Sequence, residues 1–391
     1  MKEHQSKYQR IPLIIAFQET AQYKDTYAGE IGTVALTAHL LKSNISSGKS
    51  VVVFMHPTGG GSYLPMLNSL AKQGIDTVWC DSRYRGTDSA LIMEKVLIDL
   101  GQCIKHLKGM LNYEKVILGG WSGGGSLSLF YQSQAENTSI KETPAGDPID
   151  LISENFIPAD GVMLIAAHES RHRTFTEWLD GSVLDEGNPE KRNIELDIYD
   201  KNNPNQPEYS NDFITAYRAS QIERNRKITT WVQEKLNDYK AKGENNRELG
   251  FVVHRTMADP KWLDTSIDPN GRQPNWCFLG DPETVNNSPI GLGRFCSLRS
   301  WLSQWSYDLA QGDGINCAKK ISVPSLVIGN TADDGITPSH TKNLYDAIGH
   351  ENKSLNWIEG ANHYYFGQPD KSNEASLVCK SWLEEKNLID E

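Results

Sequence analysis

Short runs of apolar residues alternate with amphipathic stretches along much of the chain, and this pattern predicts alternating strands and helices. Runs that are apolar throughout are typical of strands buried in a parallel sheet. They lie at 51–55, 77–80, 116–118, 160–167 and 321–329. From Met93 to Leu111, apolar residues recur every three or four positions, as they do on one face of a helix. The succession of strands and helices predicts an open α/β sheet.

The hydrophobic pattern breaks up between residues 171 and 318, where Asn, Asp, Pro and charged residues increase. Six of the ten tryptophans fall there: Trp178, Trp231, Trp262, Trp276, Trp301 and Trp305. Within this segment, residues 211–241 are predicted to contain an amphipathic helix. We interpret residues 1–170 and 319–391 as the sheet domain, and residues 171–318 as a mainly helical cap inserted after the sixth strand. Most cap aromatics should pack in its own core, and a minority should line an apolar pocket.

The turn after the apolar run 116–118 contains one serine among glycines. Gly120, Ser122 and Gly124 match the G-x-S-x-G motif, which places a nucleophile on a sharp strand-to-helix turn. Neighbours without Cβ atoms allow the strand and helix to approach, and the helix N-terminus favours negative charge beside the serine. A glycine-rich loop with an incidental serine is the alternative, since the motif is short.

Three other loops at predicted strand ends carry the groups that a serine nucleophile needs for catalysis. Residues 56–62 form a glycine-rich loop whose backbone N–H groups suit a developing oxyanion. Asp333 and Asp334 follow the strand at 321–329, and His363 follows the last strand. A serine hydroxyl needs a general base, usually histidine, and a carboxylate that fixes the histidine tautomer. The order Ser…Asp…His is the one associated with the G-x-S-x-G turn.

Together these motifs resemble the α/β-hydrolase superfamily over about residues 30–170 and 319–391. The matching segments are His56-Pro-Thr-Gly-Gly, Asp81…Arg85-Gly86…Ser89, residues 119–124, Gly329…Asp334…Pro338 and Gly360-Ala-Asn-His363. The resemblance implies an α/β-hydrolase fold, with an eight-stranded, mostly parallel sheet flanked by helices. His56-Pro57 replaces the commoner His-Gly pair, and the cap is large for the family, so no subfamily is recognised.

Carried over to this chain, the resemblance implies a catalytic triad. The nucleophile, general base and acid would be Ser122, His363 and Asp334. Asp334 is chosen because the acid of this family usually lies four residues before the proline of its loop, here Pro338. Asp333 is the second choice for the acid, and Glu169 is the third.

The loops around this site also provide candidate binding groups. The resemblance implies an oxyanion hole made by the backbone N–H groups of Gly123 and of Thr58 or Gly59. We expect substrate contacts from His56, Trp121, His168, His172 and Tyr364. His168 to His172 also matches the zinc motif H-E-x-x-H, but that motif works on a helix and the preceding residues here indicate a strand. We therefore expect no metal, and no cofactor.

Composition limits the partners and the cellular compartment that we expect. The 391-residue chain carries a net charge of −11, which disfavours nucleic acid and mildly favours a neutral or cationic small-molecule substrate. No apolar run approaches the roughly 18 residues of a membrane span, and no cleavable signal is evident. Six scattered cysteines without metal-site or disulfide spacing indicate a reducing compartment, so we expect a cytoplasmic protein. Assembly into a homo-oligomer stays open.

The serine at the turn favours acyl transfer to water. Dehalogenases and epoxide hydrolases of this fold resemble one another in using aspartate at that position. We therefore expect a serine hydrolase that cleaves a carboxylic ester or lactone carrying a bulky, partly apolar group. An amidase or peptidase would use the same residues, and a carbon–carbon bond hydrolase is a third enzyme alternative. An alternative from another class is a non-catalytic binding protein of this fold, because function follows the site and not the fold.

Overall fold

The computed structural model describes residues 7–24 and 30–390. Residues 1–6, 25–29 and 391 of the expected sheet domain lie outside the described residues, and residues 1–6 are also the start of the stretch in which no cleavable signal is expected. The strands are β1 (Tyr8–Gln18), β2 (Thr33–Ser43), β3 (Ser50–Phe54), β4 (Asp76–Cys80), β5 (Lys115–Trp121), β6 (Gly161–Ile165), β7 (Gly250–Val252), β8 (Phe295–Ser297), β9 (Ser325–Asn330) and β10 (Lys353–Ile358).

Helices connect most of these strands. They are α1 (Pro65–Lys72), α2 (Met93–Gly109), α3 (Gly123–Glu136), α4 (Arg171–Trp178), α5 (Asn211–Ala241), α6 (Pro260–Leu263), α7 (Pro282–Asn287), α8 (Leu298–Ser300), α9 (Gly314–Ala318), α10 (Pro338–Ala347) and α11 (Pro369–Glu385). A π-helical turn, Trp301–Trp305, continues α8. Among the described residues, no helix combines the length and the apolar character that crossing a bilayer requires.

Eight strands form one sheet in the order β1-β2-β4-β3-β5-β6-β9-β10. β2 runs antiparallel to both of its neighbours, and the other adjacent strands pair in parallel. The predicted eight-stranded, mostly parallel sheet is therefore confirmed. In β3, Val51 and Val53 face one side and Val52 and Phe54 the other, and all four are buried. Such burial on both faces explains why this strand is apolar throughout.

Helices cover both faces of the sheet. On the face of Val51, α2 and α3 contribute buried side chains such as Leu97 and Phe130. On the opposite face, α1 and α11 contribute Leu67 and Trp382. The periodic stripe from Met93 correctly predicted α2, because its apolar side is the one that the sheet buries. This layering leaves the loops at the carboxyl ends of the parallel strands free to form a site.

Residues 171–318 lie between β6 and β9 and contribute α4 to α9 and the short β7–β8 ribbon. The predicted helix at 211–241 is confirmed as α5, whose first turn is capped by the hydroxyl of Ser210 accepting from the N–H of Phe213 at 3.2 Å. The buried side of α5 packs with aromatic residues of α4 and the π-helical turn. Four of the six tryptophans in this segment, Trp178, Trp262, Trp301 and Trp305, are buried. That the segment acts as a separate cap stays a prediction.

Candidate active site

Ser122 lies between β5 and α3 in an uncommon backbone conformation. Its φ of +51° is in the left-handed region that residues with a Cβ atom rarely adopt. The turn is also tight: a Cβ on Gly120 would lie 2.5 Å from the Cα of Gly125, and one on Gly124 would lie 2.5 Å from the carbonyl oxygen of Met55. Close backbone contacts therefore require glycine at both motif positions, and they hold the serine at the carboxyl edge of the sheet.

His363 follows β10 and bridges Ser122 and a carboxylate. Its Nε2 lies 3.2 Å from Oγ of Ser122, and its Nδ1 lies 2.9 Å from Oδ2 of Asp333. Both His363 and Asp333 are buried. With Nδ1 protonated, the ring donates to Asp333 and presents the Nε2 lone pair to the serine hydroxyl. Loops after β5, β9 and β10 thus bring the serine hydroxyl, the imidazole and the carboxylate into one hydrogen-bonded line.

The carboxylate beside His363 belongs to Asp333, which corrects the choice of Asp334. Oδ1 of Asp333 accepts hydrogen bonds from the backbone N–H groups of Gly335 and Ile336, at 2.8 and 2.7 Å. These bonds fold the side chain back onto its own loop and leave Oδ2 for His363. Among the described residues, Asp334 has no hydrogen bond to His363. Burial, and then the charge of Asp333, raise the pKa of the Asp334 carboxyl.

The charge of Asp333 sets the protonation of the base. Burial alone would lower the pKa of His363, but the negative charge and hydrogen bond of Asp333 outweigh it and raise that pKa above its ordinary value. Two other imidazoles, one half-buried and one buried, behave in the opposite way. Burial, and then the charge of Arg171, lower the pKa of His56 to about 3. Burial also holds the pKa of His168 well below its usual range. His363 is therefore a stronger base than these two neighbouring imidazoles.

The expected oxyanion loop packs against Gly123, the residue after Ser122. A Cβ on Gly123 would lie 2.6 Å from Nε2 of His56 and 3.2 Å from Nε2 of His168. Gly123 opens α3, so its N–H has no acceptor within the helix. In the loop, the N–H of Gly59 donates to the carbonyl of His56 at 2.8 Å, whereas the N–H of Thr58 has a longer contact of 3.3 Å to Nδ1 of His56. Of the two alternatives, the N–H of Thr58 has the longer hydrogen bond within the protein, so it is the more available donor for an oxyanion.

Two of the expected substrate-binding aromatics contact His363. The ring of Trp121 lies 4.9 Å from that of His363 and 5.1 Å from that of Tyr364, and its Nε1 donates to the carbonyl of His363 at 3.2 Å. Tyr364 packs edge-on to His363 at 4.9 Å. Together with His56 and His168 at Gly123, four of the five expected binding residues lie around Ser122.

His172 and Glu169 lie apart from this group. Nε2 of His172 is 3.5 Å from a carboxylate oxygen of Asp313, whereas Nε2 of His168 faces Gly123. The two histidines of the H-E-x-x-H match therefore face different partners, because His168 precedes α4 and His172 lies within it. Glu169 accepts a hydrogen bond from Nδ2 of Asn343 at 2.6 Å and has no hydrogen bond or ion pair with His363 among the described residues. His172 as a substrate contact and Glu169 as the acid are thus not supported by this geometry.

The sequence reasoning missed side chains from residues 171–318 that reach the triad loops. The ring of Phe278 lies 5.9 Å from that of His363. Nδ2 of Asn270 donates to the carbonyl of Asp333 at 2.8 Å, and the N–H of Gly271 donates to the carbonyl of Thr331 at 2.7 Å. The Asp-Pro-Asn-Gly stretch at 268–271 indicates a turn, but no local pattern relates it to a loop some sixty residues later.

The sheet order, the strained serine turn and the Ser122–His363–Asp333 contacts define the class: the chain has the α/β-hydrolase fold. Its structure is similar to that of a carboxyl esterase from Bacillus coagulans in complex with glycerol, with 12% identity over 96% of this chain and 98% of that chain and a TM-score of 0.51. It is also similar to DcsB in complex with its substrate analogue, with 12% identity over 97% of this chain and 99% of that chain and a TM-score of 0.50. At this identity the similarities show the fold alone. No protein-family model matches the chain, and no curated protein matches it.

Proposed function

We propose that the protein is a serine hydrolase that cleaves a carboxylic ester or lactone through an acyl-enzyme. The observation that carries this proposal is the hydrogen-bonded line from Asp333 through His363 to Ser122. A buried carboxylate, a histidine of raised pKa and a half-buried serine on a strained turn are the parts that nucleophilic acyl transfer needs. Similarity in fold to a carboxyl esterase supports the same reaction class.

Each group would have a defined task in the reaction. Oγ of Ser122 attacks the ester carbonyl while Nε2 of His363 takes the hydroxyl proton, and Asp333 stabilises the imidazolium that forms. The tetrahedral oxyanion accepts hydrogen bonds from the backbone N–H groups of Gly123 and Thr58. His363 then gives its proton to the leaving alcohol, which leaves an acyl group on Ser122. A water molecule, deprotonated by His363, attacks that acyl group, releases the acid and restores the serine.

We propose that residues 171–318 act as a cap that shapes the substrate site. Phe278 and Asn270 reach the triad loops from this segment, and Trp121 and Tyr364 add aromatic surface on the sheet domain. Aromatic rings bury large apolar groups well. A bulky, partly apolar small-molecule substrate fits these contacts better than a short one.

Covalent labelling tests the proposal directly. A fluorophosphonate should label the folded protein once, at Ser122, and Ser122→Ala should lose both the label and ester turnover. Ser133→Ala is the matched control, because Ser133 is a buried serine of α3, the helix that follows Ser122, and its hydroxyl donates to the carbonyl of Phe130. If the protein is not labelled, or Ser122→Ala keeps full ester turnover, the serine hydrolase assignment is wrong. Parallel assays with matched amides separate an esterase from an amidase.

A further inference from the structure

His56 follows β3 and begins the expected oxyanion loop. Nδ1 of its ring lies 2.9 Å from Oγ1 of Thr58 and accepts a hydrogen bond from the backbone N–H of Thr58 at 3.3 Å. A backbone N–H only donates, so Nδ1 must keep its lone pair. Desolvation of the ring, and then the charge of Arg171, lower the pKa of His56 to about 3, so the ring is neutral. In a neutral imidazole whose Nδ1 accepts, the proton is on Nε2.

The Nε2 atom of His56 lies beside the first residue of α3. A Cβ on Gly123 would lie 2.6 Å from this atom, so the imidazole occupies the space that a side chain at position 123 would need. Among the described residues, no acceptor meets Nε2 of His56. The backbone N–H of Gly123 likewise has no acceptor within the helix. Two unused N–H donors therefore lie next to each other, one residue after Ser122.

The oxyanion loop itself has few free backbone donors. Pro57 stands where the commoner His-Gly pair has glycine, and proline has no N–H. The N–H of Gly59 donates to the carbonyl of His56 at 2.8 Å. The N–H of Gly60 donates to Oδ1 of Asp81 at 2.6 Å. A donor from a side chain would compensate for these missing or engaged backbone groups.

His168 is the other imidazole beside Gly123, and it suits this task less well. Its Nε2 lies 3.2 Å from the same Cβ position. Nδ1 of His168 is buried and has no hydrogen-bond partner in the described part of the chain, so no contact fixes which nitrogen carries the proton. In His56, by contrast, Thr58 fixes the tautomer. A donor that is fixed before the reaction costs no reorganisation when the negative charge develops.

We propose that the Nε2–H group of His56 donates a hydrogen bond to the tetrahedral oxyanion, together with the backbone N–H of Gly123. The bond strengthens when the carbonyl oxygen gains its negative charge, so it stabilises the transition state more than the bound ester. The proton stays on His56 throughout, and His363 alone takes and returns the proton of Ser122. This inference rests on the proposed function and deepens it, because it adds a side chain to the groups that act on the reacting carbonyl.

Two amide side chains separate the roles of the two ring nitrogens. Glutamine places an N–H group near the position of Nε2, whereas asparagine places only an oxygen near the position of Nδ1. His56→Asn should therefore lower kcat by about a hundredfold or more, as expected for the loss of one oxyanion donor, with KM nearly unchanged. His56→Gln should keep kcat within about tenfold of the wild type. His106→Asn, at a half-buried histidine in the last turn of α2, is the control and should leave kcat unchanged.

The order of the two losses separates a donor from a structural group. If His56 acted only by holding the loop through Thr58, asparagine would preserve kcat and glutamine would lower it. That order would overturn the proposal, as would equal values of kcat in the two variants or a loss in His56→Asn that appears in KM alone. An alkyl trifluoromethyl ketone, which forms a tetrahedral adduct with the serine, should also bind about a hundredfold more weakly to His56→Asn. An unchanged affinity for this ketone contradicts the proposal.

Nitrogen NMR of the wild-type protein with labelled histidine gives a readout without turnover. The His56 ring, assigned by the absence of its signals in either variant, should carry its proton on Nε2 at neutral pH. A ring protonated on Nδ1 would overturn the proposal. If fluorophosphonate labels Ser122 but His56→Asn hydrolyses esters like the wild type, the side-chain donor is wrong and the hydrolase stands. If the wild type is neither labelled nor active on esters, the proposed function itself fails.

Discussion

Oδ2 of Asp333 lies 2.9 Å from Nδ1 of His363, and the other oxygen of the same carboxylate is held by two backbone N–H groups. Asp333 therefore has a fixed direction before any substrate binds. A carboxylate held in this way selects the tautomer in which Nε2 of His363 can accept the proton of Ser122. The neighbouring Asp334 supplies negative charge near His363 without this contact.

Replacing each aspartate by asparagine should separate the two roles. Asp333→Asn keeps the side-chain shape but lets an amide N–H face Nδ1, which favours the wrong histidine tautomer. We expect kcat to fall by about a thousandfold to ten-thousandfold. Asp334→Asn, the matched control at the next residue, should change kcat by less than about tenfold. Steady-state kinetics with one nitrophenyl ester measures both, and the opposite order of effects would restore Asp334 as the acid.

The pH dependence of turnover should report the charges around His363. The base works only when Nε2 is unprotonated, so kcat/KM should rise with pH through the pKa of His363. Since Asp333 and Asp334 raise that pKa above its ordinary value of 6.5, the acid limb of the profile should lie above pH 6.5.

Removing one of these charges should move that limb in a known direction. Asp334→Asn removes a negative charge that stabilises the imidazolium, so the pKa of His363 falls and the limb shifts to lower pH. Asp346→Asn, at an exposed position of α10, should leave the profile unchanged. A limb that moves to higher pH in Asp334→Asn, or moves equally in both variants, would contradict the electrostatic account.

The parts of the molecule that depend on local pattern were predictable from the sequence. β3 is apolar throughout because both of its faces are covered, and α2 has one apolar side because only that side meets the sheet. Ser122 was identifiable because its strained turn requires glycines at fixed spacing. Such rules act within a few residues, and the sequence displays them directly.

What the sequence could not provide depends on the direction of side chains and on distant contacts. Asp333 and Asp334 have the same chemistry, and the difference between them arises from the backbone N–H groups of the turn after Asp333. His172 matched a motif, but the helix that begins at Arg171 turns it toward Asp313. Phe278 meets His363 through packing across 85 positions of sequence, and no periodicity encodes that contact.

Phe278 should matter more for large substrates than for small ones. Its half-buried ring lies next to His363 and Trp178, where it can cover an apolar group of a bound ester. Phe278→Ala should lower kcat/KM for a bulky ester by about tenfold, as expected for the loss of one apolar contact, and should affect a nitrophenyl acetate much less. Phe295→Ala, which truncates an exposed phenylalanine of β8, is the control. Equal losses on both esters, or wild-type turnover of bulky and short esters with the same efficiency, would argue against a substrate-shaping cap.

The glycine at position 124 links the stability of the core to the geometry of Ser122. A Cβ there would lie 2.5 Å from the carbonyl oxygen of Met55, and this backbone atom cannot rotate away. Gly124→Ala should therefore displace α3 from the end of β3, at a cost of about 1–3 kcal/mol in the free energy of unfolding. It should also reduce turnover by moving Ser122.

Gly109→Ala is the matched control, because a Cβ at this last residue of α2 meets no atom within 4 Å. That change should stabilise the protein by about 0.5–1 kcal/mol and leave turnover intact. Urea unfolding monitored beside the ester assay measures both quantities, and a Gly124→Ala protein with wild-type stability and turnover would show that the turn is not as tightly packed as the contacts indicate.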